Sequence, residues 1–463
     1  MKINSVIRIA AVVALAALTG SCGIYKKYST PEDTEVVKAY KEARTQELDS
    51  TQLGNLQWED VFTDPILAGY IRRALANNTN LANAKLNVDI ARANVLGARL
   101  SYLPSVVLAP NGAGASYAGG PLSWSYTIPA QASWEIDIFG KTLNNKRASE
   151  AQLRQTQAYE QAVRSQIIAG VANTYYTLCA LHAQVALSRR TSELWLQTTN
   201  TMADLKEAGR GITEAAVVQS RANYYSILAN IESLEGQIAS LNNVLSLLMN
   251  EMVPVAWETA SSVELEVPVA VRKGVPMIQL ANRPDVYAAE QTLAAAYYNT
   301  SASRAAFYPG LTISFSGGFT NLLGNMVRNP GDWFYQLAGS LAAPLFSRGQ
   351  NIARLKGAKA QQQQAFNNFQ YAILNAASEV DDAIGAYNTN TAKLTYLNEQ
   401  VHNLELSVEY TQDLLMYSTG TTNYLEVLTA QQSLLGAQTG VISTQLSRAQ
   451  AIISLYQTMG GGR

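Results

Sequence analysis

Prolines are spread so unevenly along the chain that they set the scale of what it can fold into: none falls between Pro129 and Pro254, and none after Pro344. A proline inside a helix removes a hydrogen bond and clashes with the preceding turn, so these gaps are where very long helices can run. Within the first gap, Ile227, Ile231, Leu234, Ile238, Leu241, Leu245, Leu248 and Met252 advance in alternating steps of four and three, the spacing of a coiled-coil seam. Leu394, Leu397, Val401, Leu404, Val408, Thr411 and Leu415 repeat it in the second gap, with one polar member. From Gly140 to Gly209 is 70 residues, a helix on the order of 100 Å at about 1.5 Å per residue. A shorter helix is predicted to return from Thr213 to Met252. Gly209, Gly211 and Gly420 then sit where each helical hairpin must turn.

The two gaps belong to two copies of one unit. Gly140 in Phe139-Gly140-Lys141 pairs with Gly349 in Ser347-Arg348-Gly349 at an offset of 209, and Gly211 pairs with Gly420 at the same offset. Leu103-Pro104 and Tyr308-Pro309 recur at 205, so a short insertion separates the copies, and the chain is an internal duplication. Each copy carries strand-like sequence. Trp124, Tyr126, Ile128, Ala130, Ala132, Trp134, Ile136 and Ile138 alternate with Ser125, Thr127, Pro129, Gln131, Ser133, Glu135 and Asp137. Leu311, Ile313, Phe315 and Phe319 against Thr312, Ser314, Ser316 and Thr320 do the same, with Trp333, Tyr335, Leu337, Leu341 and Leu345 as a partner. A first strand around Val106 to Tyr117 is weakened by Gly112 and Gly114. Long alternating strands with aromatic ends have the pattern of barrel staves in lipid; the competing reading is a soluble sheet with one face on a core. Four strands are too few to close a barrel. Oligomerisation is therefore required, and three protomers would supply twelve strands.

Charged residues make up only 15% of the chain, against roughly 25% in ordinary soluble domains, so Asn, Gln, Ser and Thr must supply the polar surface, which suits a solvated lumen. The near balance of 34 Lys+Arg and 35 Asp+Glu gives no electrostatic case for nucleic acid. At the N-terminus, Lys2 and Arg8 precede a short apolar run, Ile9 to Leu18, which reads as a signal peptide. Thr19-Gly20-Ser21-Cys22 then resembles the bacterial lipobox, with Cys22 as the lipidated residue; an ordinary signal peptide with an incidental cysteine is the alternative. By resemblance to Gram-negative lipoproteins, Gly23 in place of Asp implies sorting to the outer membrane. Cys179 is the one other cysteine, which excludes a disulfide framework.

Five landmarks in order carry a family resemblance. They are Trp58-Glu59-Asp60-Val61-Phe62-Thr63-Asp64-Pro65-Ile66-Leu67; Ala74-Leu75 with Asn77-Asn78 and Leu81; Asn282-Arg283-Pro284-Asp285-Val286 with Ala289-Glu290; Pro344-Leu345-Phe346 with Gly349; and Leu455-Tyr456-Gln457-Thr458-Met459-Gly460-Gly461-Gly462. On these the chain resembles the TolC-like outer-membrane efflux factors of the lipoprotein branch, with Arg463 where the family ends in Trp. The resemblance implies an α+β homotrimer. A 12-stranded outer-membrane β-barrel, four strands per protomer, would continue into a long periplasmic α-helical barrel whose tip meets a periplasmic adaptor bound to an inner-membrane pump. It divides the chain into a signal peptide (1–21), a lipid-anchored extension (22–57), a first repeat (58–253), an equatorial segment (254–280), a second repeat (281–459) and a Gly-rich end (460–463). The adaptor-facing tips would be Gly209, Arg210, Gly211, Ile212 and Thr213, with Gly420, Thr421 and Thr422. Tyr417 stands where the family has a latch tyrosine and Glu426 where it has a pore-lining acid, both at the constriction. Val217, six residues beyond Gly211, replaces the Asp of the best-known relatives, which would leave closure more to packing.

Chemistry is poorly provided for. His182 and His402 are the only histidines and lie far apart in the chain, so neither a His-rich metal site nor a Ser-His-Asp arrangement is expected within one chain. No Gly-rich phosphate loop appears, so energy must come from a partner. Asp285, at a helix start, is expected to be an N-terminal cap. The expected function is passive conduction of small-molecule cargo without cofactor or catalysis. The alternatives are a type I protein-secretion channel on the same fold and a lipid-anchored periplasmic coiled-coil scaffold.

Overall fold

The alternating segments do form strands. The computed structural model describes residues 25–44, 56–116, 118–252, 257–260, 280–322, 330–417 and 424–462, the last three of the 330–417 stretch by backbone alone. The elements in order are α1 (Glu35–Ala43), α2 (Trp58–Val61), α3 (Pro65–Asn77), α4 (Thr79–Leu100), β1 (Ser105–Leu108), β2 (Asn111–Ala115), β3 (Ser123–Ile136), α5 (Lys141–Glu207), α6 (Glu214–Met249), α7 (Pro284–Ala305), β4 (Gly310–Thr320), β5 (Asp332–Ala342), α8 (Gln350–Tyr417) and α9 (Tyr424–Thr458). The duplication is written in the lengths: α4 and α7 have 22 residues each, α5 and α8 have 67 and 68, and α6 and α9 have 36 and 35. Gly140 and Gly349, which precede the two longest helices, are both in the left-handed conformation. The chain divides into two units, each assembled from both copies.

The first unit (1–37, 86–158, 287–371) holds one antiparallel sheet. β1 and β2 both pair with β3 in a single register, since Leu108 faces Ala130 and Asn111 faces Thr127. They are one stave interrupted at Ala109-Pro110, opposite Ile128 and Pro129, where two prolines leave the ladder without donors; the Ala109 N–H still reaches the Pro129 carbonyl at 3.1 Å. The sheet is therefore four staves wide, in the order β1/β2, β3, β4, β5. Gly318 is obligatory in β4, because a Cβ there would lie 2.0 Å from the Ile128 carbonyl oxygen. The expected stave 333–345 ends early, at Ala342: Pro344 cannot continue a ladder, so Leu345 leaves the stripe. Residues 25–34 strap the helical part of this unit. The Tyr28 amide donates to the Tyr298 hydroxyl at 3.1 Å, the Thr30 hydroxyl to Glu290 at 2.7 Å and the Gln370 amide to the Thr34 hydroxyl at 2.7 Å.

The second unit (38–85, 159–286, 372–463) is helical, with a core that includes Phe62, Leu67, Ile71, Tyr175, Leu178, Leu245, Met249 and Tyr456, all fully buried. Asp64 shows why the Asp-Pro landmark exists. One carboxylate oxygen caps α3 through the Ile66 and Leu67 amides (2.8 and 3.4 Å), Pro65 fills the first helical position, and the other oxygen accepts the Tyr175 hydroxyl at 2.5 Å. The seam of α6 is real but shorter than its heptads. Ile231 and Leu234 pack with Leu181 and Val185 of α5, together with Ile238 and Leu241, and Leu245 is buried. Beyond it Met249 is buried in place of Leu248, and Met252 is 94% exposed. A straight helix drifts about 20° per heptad from a 3.5-residue repeat, and Asn250, left-handed at φ 52°, ends α6 before Met252. In α8 the second seam is buried at Leu394 and half-buried from Leu397 to Thr411. Of the equatorial segment only 257–260 and Leu280 are described; the expected alternation from Val263 to Val267 lies outside the described residues.

Candidate functional site: the two-faced sheet and the hairpin tip

Side chains alternate across a strand, so residues directly opposite in an antiparallel pair share a face. The register here sorts most of the stave residues by polarity, with Val107 and Phe334 as apolar members of the polar face. Gln131 faces Ser316, which faces Gln336; Glu135 faces Thr312, which faces Ser340; Thr127 faces Thr320, which faces Asp332. On the other face Ile128 meets Phe319 and then Trp333, Ala132 meets Phe315 and then Leu337, and Ile136 meets Leu311 and then Leu341. Val106 and Leu108 extend the apolar face on the first stave, opposite Ala132 and Ala130. Trp124, Trp333, Tyr335 and Leu337 are between 65% and 72% exposed in the single chain, so none of the described residues covers this part of the face. Trp134 donates its indole N–H to the Tyr102 carbonyl at 2.8 Å.

At the far end of the first hairpin, the α5 terminus is closed by a Schellman pair. The Arg210 amide reaches the Leu205 carbonyl (2.9 Å) and the Gly209 amide the Lys206 carbonyl (3.0 Å), with Gly209 left-handed at φ 72°. Gly211 is left-handed too, at φ 77°. Thr213 caps α6, its hydroxyl accepting the Ala216 amide at 3.3 Å. Lys206 and Glu214 pair across the turn, and the ammonium holds the Glu214 carboxyl below its ordinary value. Gly209, Arg210, Gly211 and Thr213 are exposed, whereas Ile212 turns inward. It joins Met202, Val217, Leu428 and Tyr424 in an apolar cluster that ties α5, α6 and α9 just behind the turn.

The second tip is described less fully. Gly420, Thr421 and Thr422 lie outside the described residues, as does Cys22. Tyr417 is the last residue of α8, its side chain undescribed; Glu426 is exposed in the first turn of α9, where a carboxylate suits the helix dipole. Asp285 meets the expectation of a cap only in part. It lies inside α7, which starts at Pro284; one carboxylate oxygen accepts the Val286 amide at 2.9 Å, and the two together grip Arg283 in a two-pronged pair at 3.0 and 2.7 Å. Desolvation opposes charge on this half-exposed carboxyl, yet the guanidinium holds it below the usual range. Arg283, itself buried, reaches on to Glu379 (2.6 Å) and to the Thr458 carbonyl (2.9 Å), pinning the start of α7 to α8 and the end of α9. Cys179 is buried and its thiol pushed up to about 11 by desolvation. Among the described residues no three His, Cys, Asp or Glu side chains are grouped to hold a metal ion, and no helix is long and apolar enough to cross a membrane.

Beside the two-faced sheet and the two helices of nearly 70 residues stands a sequence match: the family profile described as outer membrane efflux protein matches residues 70–251 and 275–461. The chain belongs to the outer membrane efflux protein family. It is 28% identical to the cation efflux system protein CusC of Escherichia coli K12, covering 88% of this chain and 89% of the relative. With the toluene efflux pump outer membrane protein TtgC of Pseudomonas putida it shares 27% identity over 96% and 94% of the two chains. The open-state MtrE outer membrane channel of Neisseria gonorrhoeae superimposes with a TM-score of 0.78 at 26% identity, over 90% of this chain and 94% of that one. The fold is thus of the TolC type, and the protein is an outer-membrane channel component of the tripartite efflux kind. What sequence reasoning missed is the cluster behind the tip. Leu428 corresponds at the 209 offset to Gln219 (428 minus 209), so the duplication itself gave no signal for it.

Proposed function

We propose that this channel is a homotrimeric, lipid-anchored exit duct that conducts cargo passively, with selection and energy supplied by a periplasmic adaptor and an inner-membrane pump. The observation that carries this is the sheet. Among the described residues β1/β2 pair only with β3, and β5 only with β4, so both edges carry unpaired backbone groups beside an apolar face. In lipid such edges are untenable, and copies of the same chain close the ring most simply, twelve staves from three protomers. The polar face from Thr127 to Glu135 then lines the water path. Relatives named for cations and for toluene resemble this chain to nearly the same degree, which supports a duct whose selectivity lies upstream.

Within that reading, Cys22 carries the lipid, the exposed turn from Gly209 to Thr213 and its counterpart at Gly420, Thr421 and Thr422 meet the adaptor, and Tyr417 and Glu426 line the periplasmic constriction. Three Glu426 carboxylates around one axis would favour cations. The detergent-purified protein should have the mass of three protomers and conduct in planar bilayers, and Glu426→Gln should lower its cation selectivity. A monomer that does not conduct overturns the reading; a conducting trimer with unchanged selectivity removes Glu426 from the constriction.

A further inference from the structure

About two turns behind the tip cluster, α5, α8 and α9 enclose a cavity of about 130 Å³. Leu187 and Leu194 of α5, Val408 of α8 and Leu434 and Leu435 of α9 form its apolar part. Thr191, Gln412 and Gln438 line it as half-buried polar residues, and Trp195 and Gln431 as polar residues only 5% exposed. The Gln431 amide nitrogen donates to the Thr198 hydroxyl at 3.1 Å, but its oxygen has no partner, and neither has the Trp195 indole N–H. Exchanging the amide oxygen and nitrogen would still leave one end of Gln431 unspent. Buried polar groups are nearly always paired, and each orphan costs free energy. Two residues that line one cavity thus each carry an unpaired buried polar atom, one of them a pure donor, which asks for an occupant.

We propose that this cavity binds a small neutral aromatic alcohol, of the phenol class. The volume is close to that of the roughly 150 Å³ apolar cavity that admits benzene, so one six-membered ring fills it against the leucines. A hydroxyl is the smallest group that both accepts a hydrogen bond, as the indole N–H requires, and donates one, as the Gln431 oxygen requires. An ionised ligand is disfavoured because the leucines and valine, with neutral Thr, Gln and Trp side chains, offer its charge no counter-ion to replace its hydration; the one charged lining residue, Arg190, is exposed. The site is separate from the exposed turn.

The test uses the full-length protein, purified in detergent as its assembled oligomer, with phenol as the probe and toluene as a ring of similar size without the hydroxyl. Binding is read by ligand-observed saturation-transfer NMR, and Leu187→Trp, which fills the cavity, provides the background for partition into micelles. Wild type should show saturable phenol binding that Leu187→Trp lacks. Trp195→Phe and Gln431→Leu should each weaken phenol about tenfold, the loss of one buried hydrogen bond, while changing toluene less than about twofold. Oligomeric mass checks assembly of each variant, so either one suffices if the other fails to assemble. Equal phenol binding in wild type and Leu187→Trp, or phenol affinity untouched by both polar-to-apolar variants, overturns the proposal. So does a crystal structure in which an ordered water bridges Trp195 and Gln431 and phenol does not displace it.

Discussion

Trp124 and Trp134 lie ten residues apart (134 minus 124) on the apolar face of β3. At about 3.3 Å per residue and a tilt of about 40°, they are separated by about 25 Å along the membrane normal, the height of the apolar band on outer-membrane barrels. Their midpoint falls at residue 129, which puts Ile128, opposite Phe319, within about 3 Å of the midplane. Replacing Ile128 with Arg should therefore cost about 2 to 4 kcal/mol per protomer, or about 6 to 12 kcal/mol for three copies. Gln131 is at nearly the same depth but on the polar face, between Val107 and Ser316, and Gln131→Arg should cost less than about 1 kcal/mol per protomer because its charge stays in water. Semi-native electrophoresis of membranes expressing each variant reads the assembled fraction directly. Ile128→Arg should abolish the oligomer band and Gln131→Arg should keep it. Equal yields would mean that the polarity of the strand faces does not decide which one meets lipid.

Gly318→Ala should be more damaging than its size suggests. The added methyl would meet the Ile128 carbonyl at 2.0 Å, so β3 and β4 must part at a cost of about 3 kcal/mol or more, visible as lost assembly; normal assembly would show that the strands can move apart freely. Gly211→Val forces a branched side chain into a left-handed residue, at roughly 1 to 2 kcal/mol, on an exposed turn. Efflux measured in cells should fall while oligomer yield holds, and a parallel fall in both would make the turn a purely structural cap. Asp285 has a folded-state carboxyl held below its unfolded value by Arg283, so its stabilisation is complete above about pH 4 and lost as pH falls through the folded value. Asp285→Asn should flatten that acid limb in pH-dependent denaturation, and an unchanged limb would place the acid sensitivity elsewhere.

Periodicity reveals an element wherever one rule governs it. The strands show themselves because every second residue obeys one solvent, and the long helices because proline is excluded from them. Failures occur where two rules compete. The α6 seam runs on in the sequence to Met252, but a straight helix cannot keep a strict heptad on one side, and burial passes to Met249. The first stave looks weak because Gly112 and Gly114 dilute it, and the actual interruption comes where Pro110 on one strand and Pro129 on the other fall one register step apart, a coincidence that no single-strand pattern records. Asp285 has the composition of a cap, but Arg283, two residues earlier, is the stronger partner. The tip turn is legible from its glycines, while the cluster beneath it draws Leu428 from the other copy and Ile212 from within the turn, a pairing set by tertiary packing alone.

Tyr456 closes the helical unit in a way that bears on how the chain is made. Its ring packs edge-on against Phe62 at 5.6 Å, and its hydroxyl reaches the Leu56 carbonyl across a separation of 400 residues. At equilibrium so long a loop is inexpensive, since each doubling adds only about 0.6 kcal/mol, but the search for such a contact is slow. α3 meets α5 and α6 as soon as these exist, but the side of Phe62 that Tyr456 covers stays open until residues near 456 have been synthesised and delivered. For that interval the nascent chain offers sticky surface to its neighbours, which makes holding chaperones, more than intrinsic stability, the determinant of yield.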